Sequence, residues 1–230
     1  MRIYFTKKDL YKKVEEIRYG FGIDNSFYPL DCLNFCRKEG ILVGSMSFKT
    51  AGIRGMVQMG DSYNPPVIIL NALNSPEENN FYCGHELMHA IIHRDLECPS
   101  FKCYDTINDK RNDILEWQAN EGAAELLLPY KHFIPRLMEV YNQLDYTVRM
   151  EKVKDILAQE YGVTASIIEL RIKNLKFEID QYRTGVPLDK IVLMSQNQLK
   201  NHGVHVKSLF DLENEKIMEE LHRWQARKRT

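Results

Sequence analysis

One short stretch has residue types and spacing that could do chemistry: His85-Glu86-Leu87-Met88-His89. On a helix, side chains four residues apart stand one above the other. His85 and His89 can then aim two imidazoles at one point, as two ligands of a tetrahedral Zn²⁺ must. Glu86 lies one residue, about 100°, further round. That places it off the ion but within reach of a water beside it, which is what a metal-dependent hydrolase needs of a base. The plain alternative is a surface helix with two histidines, because so short a pattern also arises by chance. Context decides between them: a helix, an apolar seat and a third ligand.

Ser75-Pro76-Glu77-Glu78 supplies the helix start, with Ser75 as cap, Pro76 at the first helical position and Glu78 closing a capping box. The helix should run to His93 or Arg94, its apolar face formed by Phe81, Met88, Ile91 and Ile92. His93 reads as a rim residue, since a third histidine there would crowd the position left for water. Asp95 to Asp109 reads as a loop. A second helix follows from about Lys110 to Leu128 and stops at Pro129. On it, Ala119, Ala123, Ala124, Leu126 and Leu127 suit close packing, and Glu116, Asn120, Glu121 and Glu125 are polar. A hydrolytic zinc needs a third protein ligand. Glu116, 27 residues beyond His89, can supply a carboxylate from this next helix. Taken alone it would be an ordinary solvated helix carboxylate.

An apolar strand, Ser75-Pro76-Glu77, Phe81, the five-residue motif, and then Glu116, Ala119-Asn120, Ala123-Ala124-Glu125 and Leu126 to Pro129 together resemble the ImmA/IrrE family of zinc metallopeptidases. The resemblance is strong from about Val67 to Pro129 and weaker upstream. It implies an α+β, zincin-like fold with one Zn²⁺ per chain, His85, His89 and Glu116 as metal ligands, and Glu86 as general base. It also implies a protein substrate such as a helix-turn-helix repressor, on a mobile element or prophage. The sequence departs from the family at Gly122, where an aromatic residue is usual, and this should loosen the helix locally. Candidates for polarising the reacting carbonyl are Tyr104, Tyr130, His132 and His93. Asn120, one turn from Glu116, is a candidate partner of the metal ligands. A peptide substrate would add as a strand beside the motif helix, against Met56 to Met59 or Val67 to Leu70.

The elements that must position these groups are legible upstream. Thr6 to Arg18 reads as an amphipathic helix burying Leu10, Val14 and Ile17. Leu30 to Glu39 reads as a second, stopped by Gly40. Cys32 and Cys36 lie one turn apart on it, read as small core residues with a metal pair as the alternative. Ile41 to Val43, Ile53 to Met59 and Val67 to Leu70 predict a small, mostly antiparallel sheet of about three strands. Downstream, Val153 to Phe177 predicts two helices in a helix-turn-helix-like pair, with too few basic residues on the second to read DNA. Lys190 to Met194 predicts a short strand, and Gln196 to His202 and Asp211 to Arg227 predict helices. The expected organisation is a metallopeptidase domain over 1–145, the helical pair over 146–185, and an extension of unknown role over 186–230.

Hydrophobic residues at 44% and charged residues at 27% allow a real core, and a net charge of −1 argues against a nucleic-acid partner. No apolar run approaches the ~20 residues of a membrane span, and the first residues lack the apolar core of a signal peptide. The five cysteines are therefore expected as reduced cytoplasmic thiols. Cys83, Cys98 and Cys103 read as bystanders, the alternative being a thiolate that occupies the open metal position. A second functional class stays in view: a regulatory module that binds a repressor or DNA through a structural or vestigial metal site. The oligomeric state, cleavage site and activating signal are not written in the residues.

Overall fold

Helix α1 (Lys7–Gly20) starts at Thr6, whose side chain accepts from the Asp9 backbone N–H at 3.2 Å. It buries Leu10, Tyr11, Val14 and Ile17 at the spacing of one helical face. Helix α2 (Cys32–Lys38) is capped by Asp31, and its buried residues are Cys32 and Cys36. Then come β1 (Leu42–Met46), β2 (Ile53–Gln58), β3 (Val67–Asn71), α3 (Pro76–Ile92), β4 (Ser100–Tyr104) and α4 (Asp113–Leu127). The computed structural model describes residues 4–24, 29–96, 98, 100–104, 113–144 and 149–228. Among them are ten α-helices and one four-stranded sheet, an α+β architecture.

The strand order is β1-β3-β2-β4. β1 runs parallel to β3, whereas β2 is antiparallel to both β3 and β4, so two of the three pairings are antiparallel. The fourth strand corrects the sequence reading, which assigned Asp95 to Asp109 wholly to a loop. Phe101 and Cys103 are buried on either side of exposed Lys102, the two-residue period of a half-buried strand; residues 105–109 lie outside the described residues. Met56 to Met59 and Val67 to Leu70, offered above as docking edges, instead fall on or at the end of the interior strands β2 and β3. On β2, Ile53, Gly55 and Val57 alternate inward, as do Ile68 and Leu70 on β3. Helix α3 packs on these two strands.

Both halves of the expected capping box start α3: Ser75 Oγ accepts from Glu78 N at 3.2 Å, and Glu78 Oε2 accepts from Ser75 N at 2.8 Å. Helix α4 lies close against α3 because small residues meet there. A Cβ on Gly84 would stand 3.6 Å from Ala123 Cβ and 3.6 Å from Leu127 Cδ1. Gly122 has a steric reason: a Cβ there would lie 3.0 Å from Met88 Cγ. Met88, inside the motif, fills the volume that a larger side chain at 122 would need. Helix α1 ties to α4 through Tyr11, which donates to Glu121 Oε1, and Arg18, which donates to the Leu126 carbonyl.

The chain divides into two compact units, Met1–Pro129 with Gln159–Thr164, and Tyr130–Ala158 with Ala165–Thr230. The second holds α5 (Tyr130–Gln143), most of α6 (Arg149–Tyr161), α7 (Ala165–Asn174), α8 (Lys176–Arg183), α9 (Gln196–Asn201) and α10 (Leu209–Lys228). Helices α6 and α7 are the predicted pair, joined at Gly162, whose φ of +63° suits glycine. Helix α5 had no sequence assignment. The strand expected at Lys190 to Met194 does not form. Instead Gln181 clamps that backbone, donating to the Val192 carbonyl and accepting from the Val192 N–H, each at 2.9 Å. A side-chain amide thus takes the place of a neighbouring strand. No described helix is long and apolar enough to cross a membrane.

Candidate metal centre

Midway along α3, His85, Glu86 and His89 are all fully buried. The capped first turn fixes the register of the helix, and the apolar sheet fixes which side is covered. His85 Nε2 and His89 Nε2 are 3.1 Å apart. Glu116, on α4, reaches them with Oε2 at 3.3 Å from His85 Nε2 and Oε1 at 3.4 Å from His89 Nε2. Ligand atoms sharing one tetrahedral zinc at ~2.05 Å are about 3.3 Å apart. The three donors therefore already have the spacing of a common ion. A histidine pair and one carboxylate, leaving a position for water, is a donor set of catalytic zinc.

The remaining ring nitrogens set the tautomers. His85 Nδ1 lies 3.0 Å from Asn120 Oδ1, which can only accept. His85 therefore donates from Nδ1 and keeps a lone pair on Nε2 for the ion. His89 Nδ1 lies 2.9 Å from His93 Nδ1, and His93 Nε2 lies 3.0 Å from Gln118 Oε1. Gln118 Oε1 accepts from His93 Nε2–H, His93 Nδ1 accepts from His89 Nδ1–H, and His89 Nε2 is left free to ligate. This chain works only with both histidines neutral. Burial favours that state, holding His89 down at about 3 and His93 below its ordinary value. Phe101 on β4 stacks on the His89 ring, centroids 4.2 Å apart and planes 17° from parallel.

Glu86 points toward β2. A Cβ on Gly55 would stand 3.1 Å from Glu86 Oε1, so the missing side chain makes room for the carboxylate. A β-bulge sits at the same place, between Ile53 and Gly55. Neither Glu86 oxygen meets hydrogen-bond geometry with a partner among the described residues, and the Cys103 backbone only weakly favours its charged form. Burial pushes the carboxyl up to about 8, against the opposing pull of His85. In the metal-free protein burial also pushes Glu116 up, but donation from the His85 and His89 rings outweighs it and brings that carboxyl to about 2; a bound ion would take the place of those ring protons. The two carboxylates, 30 positions apart, are thus split into an ion-pairing group and a proton-accepting one. An orphaned, buried carboxylate beside three converging ligands fits a bound metal and its water.

The structure brings together His85, Glu86, His89 and Glu116, with Asn120 and His93 behind the histidines. The rim reading of His93 is corrected: it is 2% exposed and supports His89 from behind. Tyr104 closes β4 opposite Ile53, and its side chain lies outside the described residues. Tyr130 and His132 belong to α5, in the second unit. Cys83 faces α2. Cys98 donates to the Ser100 carbonyl at 3.1 Å. Cys103 groups with His85 and Glu86, which places its thiol beside the candidate site. Sequence reasoning missed Phe101, Gln118 and Gly55. The alternation in Ser100 to Tyr104 carried a signal for the first, whereas the other two act only through tertiary contacts.

The IrrE N-terminal-like peptidase domain model matches residues 36–173. The chain belongs to that family. Radiation response metalloprotease IrrE of Deinococcus deserti is 33% identical over 76 residues, 32% of this chain and 27% of that relative. The chain thus spans about a quarter of the curated relative it matches. A Mycobacterium tuberculosis transcriptional regulator of known structure aligns with a TM-score of 0.46 at 19% identity, over 73% of this chain and 48% of that chain. Membership of this family implies a metallopeptidase-type domain and a metal, with His85, His89 and Glu116 available to hold it.

Proposed function

We propose that the protein is a zinc-dependent endopeptidase of the ImmA/IrrE type, with His85, His89 and Glu116 as ligands and Glu86 as the general base. The observation that carries this reading is the fully buried Glu86 carboxylate, unpartnered and beside three converging donors. A binding module has no use for such a group, and burying it costs stability. When bound, Zn²⁺ would supply Lewis-acid charge, acidifying water and polarising the scissile carbonyl. Glu86 takes a proton from the attacking water and passes it to the leaving amine. Gly55 lets the carboxylate take that position, and Asn120 and His93 hold the two imidazoles in the ligating tautomer. β4 is an edge strand among the described residues, and its Phe101 and Cys103 lie against the site. An extended substrate would pair with its outer side.

The substrate in this reading is a regulatory protein such as a helix-turn-helix repressor, met in the cytoplasm, and the helices after Pro129 pack against or dock partners without reading DNA. The test compares wild type with Glu86→Gln for bound zinc and for cleavage of a co-expressed candidate repressor. Zinc should persist in the variant while cleavage disappears. Unchanged cleavage refutes the mechanism, and chelator-insensitive DNA retardation favours the binding module.

A further inference from the structure

Outside the metal centre, Cys32 and Cys36 on α2 meet Cys83 on α3, with their Sγ atoms all within 4.8 Å of one another. All three are 0% exposed and none is in a disulfide. Cys36 Sγ and Cys83 Sγ are 3.7 Å apart. Sulfurs bound to one centre at ~2.3 Å stand about 3.4–4.0 Å apart. The cluster is therefore close to the span of a three-sulfur site.

The backbone holds the thiols there. Asp31 caps α2. Asn80, on α3, accepts from the Cys32 N–H at 2.9 Å and donates to the Gly162 carbonyl at 2.9 Å. A Cβ on Gly84 would lie 3.7 Å from Cys32 Sγ, so α2 rests directly on α3. A core needs apolar volume at these positions, but it does not need sulfur at three positions in mutual reach.

The donor set selects the ligand. Among the described residues no histidine or carboxylate joins the three sulfurs, whereas structural zinc closes with four ligands. Soft thiolates select soft centres. Full burial adds a charge condition, because net charge in a dry site is expensive. Three thiolates on a monovalent or divalent ion leave net negative charge; on a trivalent centre they leave none. We propose that Cys32, Cys36 and Cys83 form a second site, for a trivalent thiophilic metalloid of the arsenite class. Binding exchanges three S–H and three As–O bonds for three As–S bonds, and releases three waters from As(OH)₃ with no change of oxidation state. Occupancy links α2 to the helix that carries His85.

The test uses the full-length, reduced protein and arsenite. Mass spectrometry should show one arsenic per chain with three hydrogens lost, together with near-ultraviolet sulfur-to-arsenic absorption and slower amide exchange in α2. Cys36→Ala and Cys32→Ala, each checked for native circular dichroism, should weaken binding by more than the ~10–100-fold that changes outside a ligand set cost. Cys98→Ser should bind normally. His89→Ala should lose zinc yet keep the arsenic adduct, which separates this site from the metal centre. The proposal is overturned by no adduct, by an adduct that survives both alanine variants, or by tighter binding of Cu(I) or Zn²⁺ at these cysteines. It is also overturned if mild peroxide yields a Cys36–Cys83 disulfide while arsenite yields nothing.

Discussion

Replacing Glu86 by glutamine should stabilise the metal-free protein in a pH-dependent way. The carboxyl has an ordinary value of 4.5 and lies at about 8 when folded. A raised carboxyl means that the folded state holds its proton over a range where the unfolded chain has lost it. Stability is therefore present below the unfolded value and falls as pH rises, by about 1.4 kcal/mol per unit. From pH 5 to pH 7.5 the wild type should lose roughly 3 kcal/mol through this one group. Glutamine carries no titrating proton, so that loss should vanish. Its buried amide is left unpaired at a cost of roughly 1–3 kcal/mol, but equally at both pH values. The difference between the two pH values is therefore the clean quantity. The assay is chemical denaturation of chelator-treated wild type and Glu86→Gln at pH 5 and 7.5, repeated with saturating Zn²⁺. Zinc should flatten the wild-type dependence, because a nearby dication draws the carboxyl down. Parallel metal-free curves for the two proteins would refute the claim that Glu86 is buried without a partner.

His93→Ala removes the acceptor behind His89 and should weaken zinc binding about 10–100-fold in a competition titration; unchanged affinity rules out the tautomer chain. Gly55→Ala puts a methyl 3.1 Å from Glu86 Oε1, so turnover of a cleaved repressor should fall at least tenfold while zinc stoichiometry holds. Gly122→Phe overfills the space beside Met88 and should destabilise by roughly 1–3 kcal/mol, read as a lower denaturation midpoint; Met88→Ala in the same chain should restore part of it. Ser75→Ala removes one half of the capping box and should cost about 1 kcal/mol, with zinc affinity unchanged.

The sequence by itself determined the candidate site residues and their scaffold at short range. The 85/86/89 spacing, the Ser75-Pro76 start and the apolar runs of β2 and β3 are local patterns. Helical and strand periods turn such patterns directly into shared faces. Glu116 was legible too, but only as part of a recognisable block. The tertiary structure decided what depends on two segments meeting. Asn120 and His93 look alike as polar residues on helices, yet each takes the back of a different histidine once α4 lies on α3. Gly122 reads as a flaw in a helix until Met88 is seen beside it, and Gly55 reads as a weak point in a strand until Glu86 points at it. Which strand lies at the sheet edge is likewise a matter of topology, since β3 inserts between two strands that precede it in the chain. A side chain's period is a property of its own element, whereas what it faces is a property of the partner, and only packing supplies the partner.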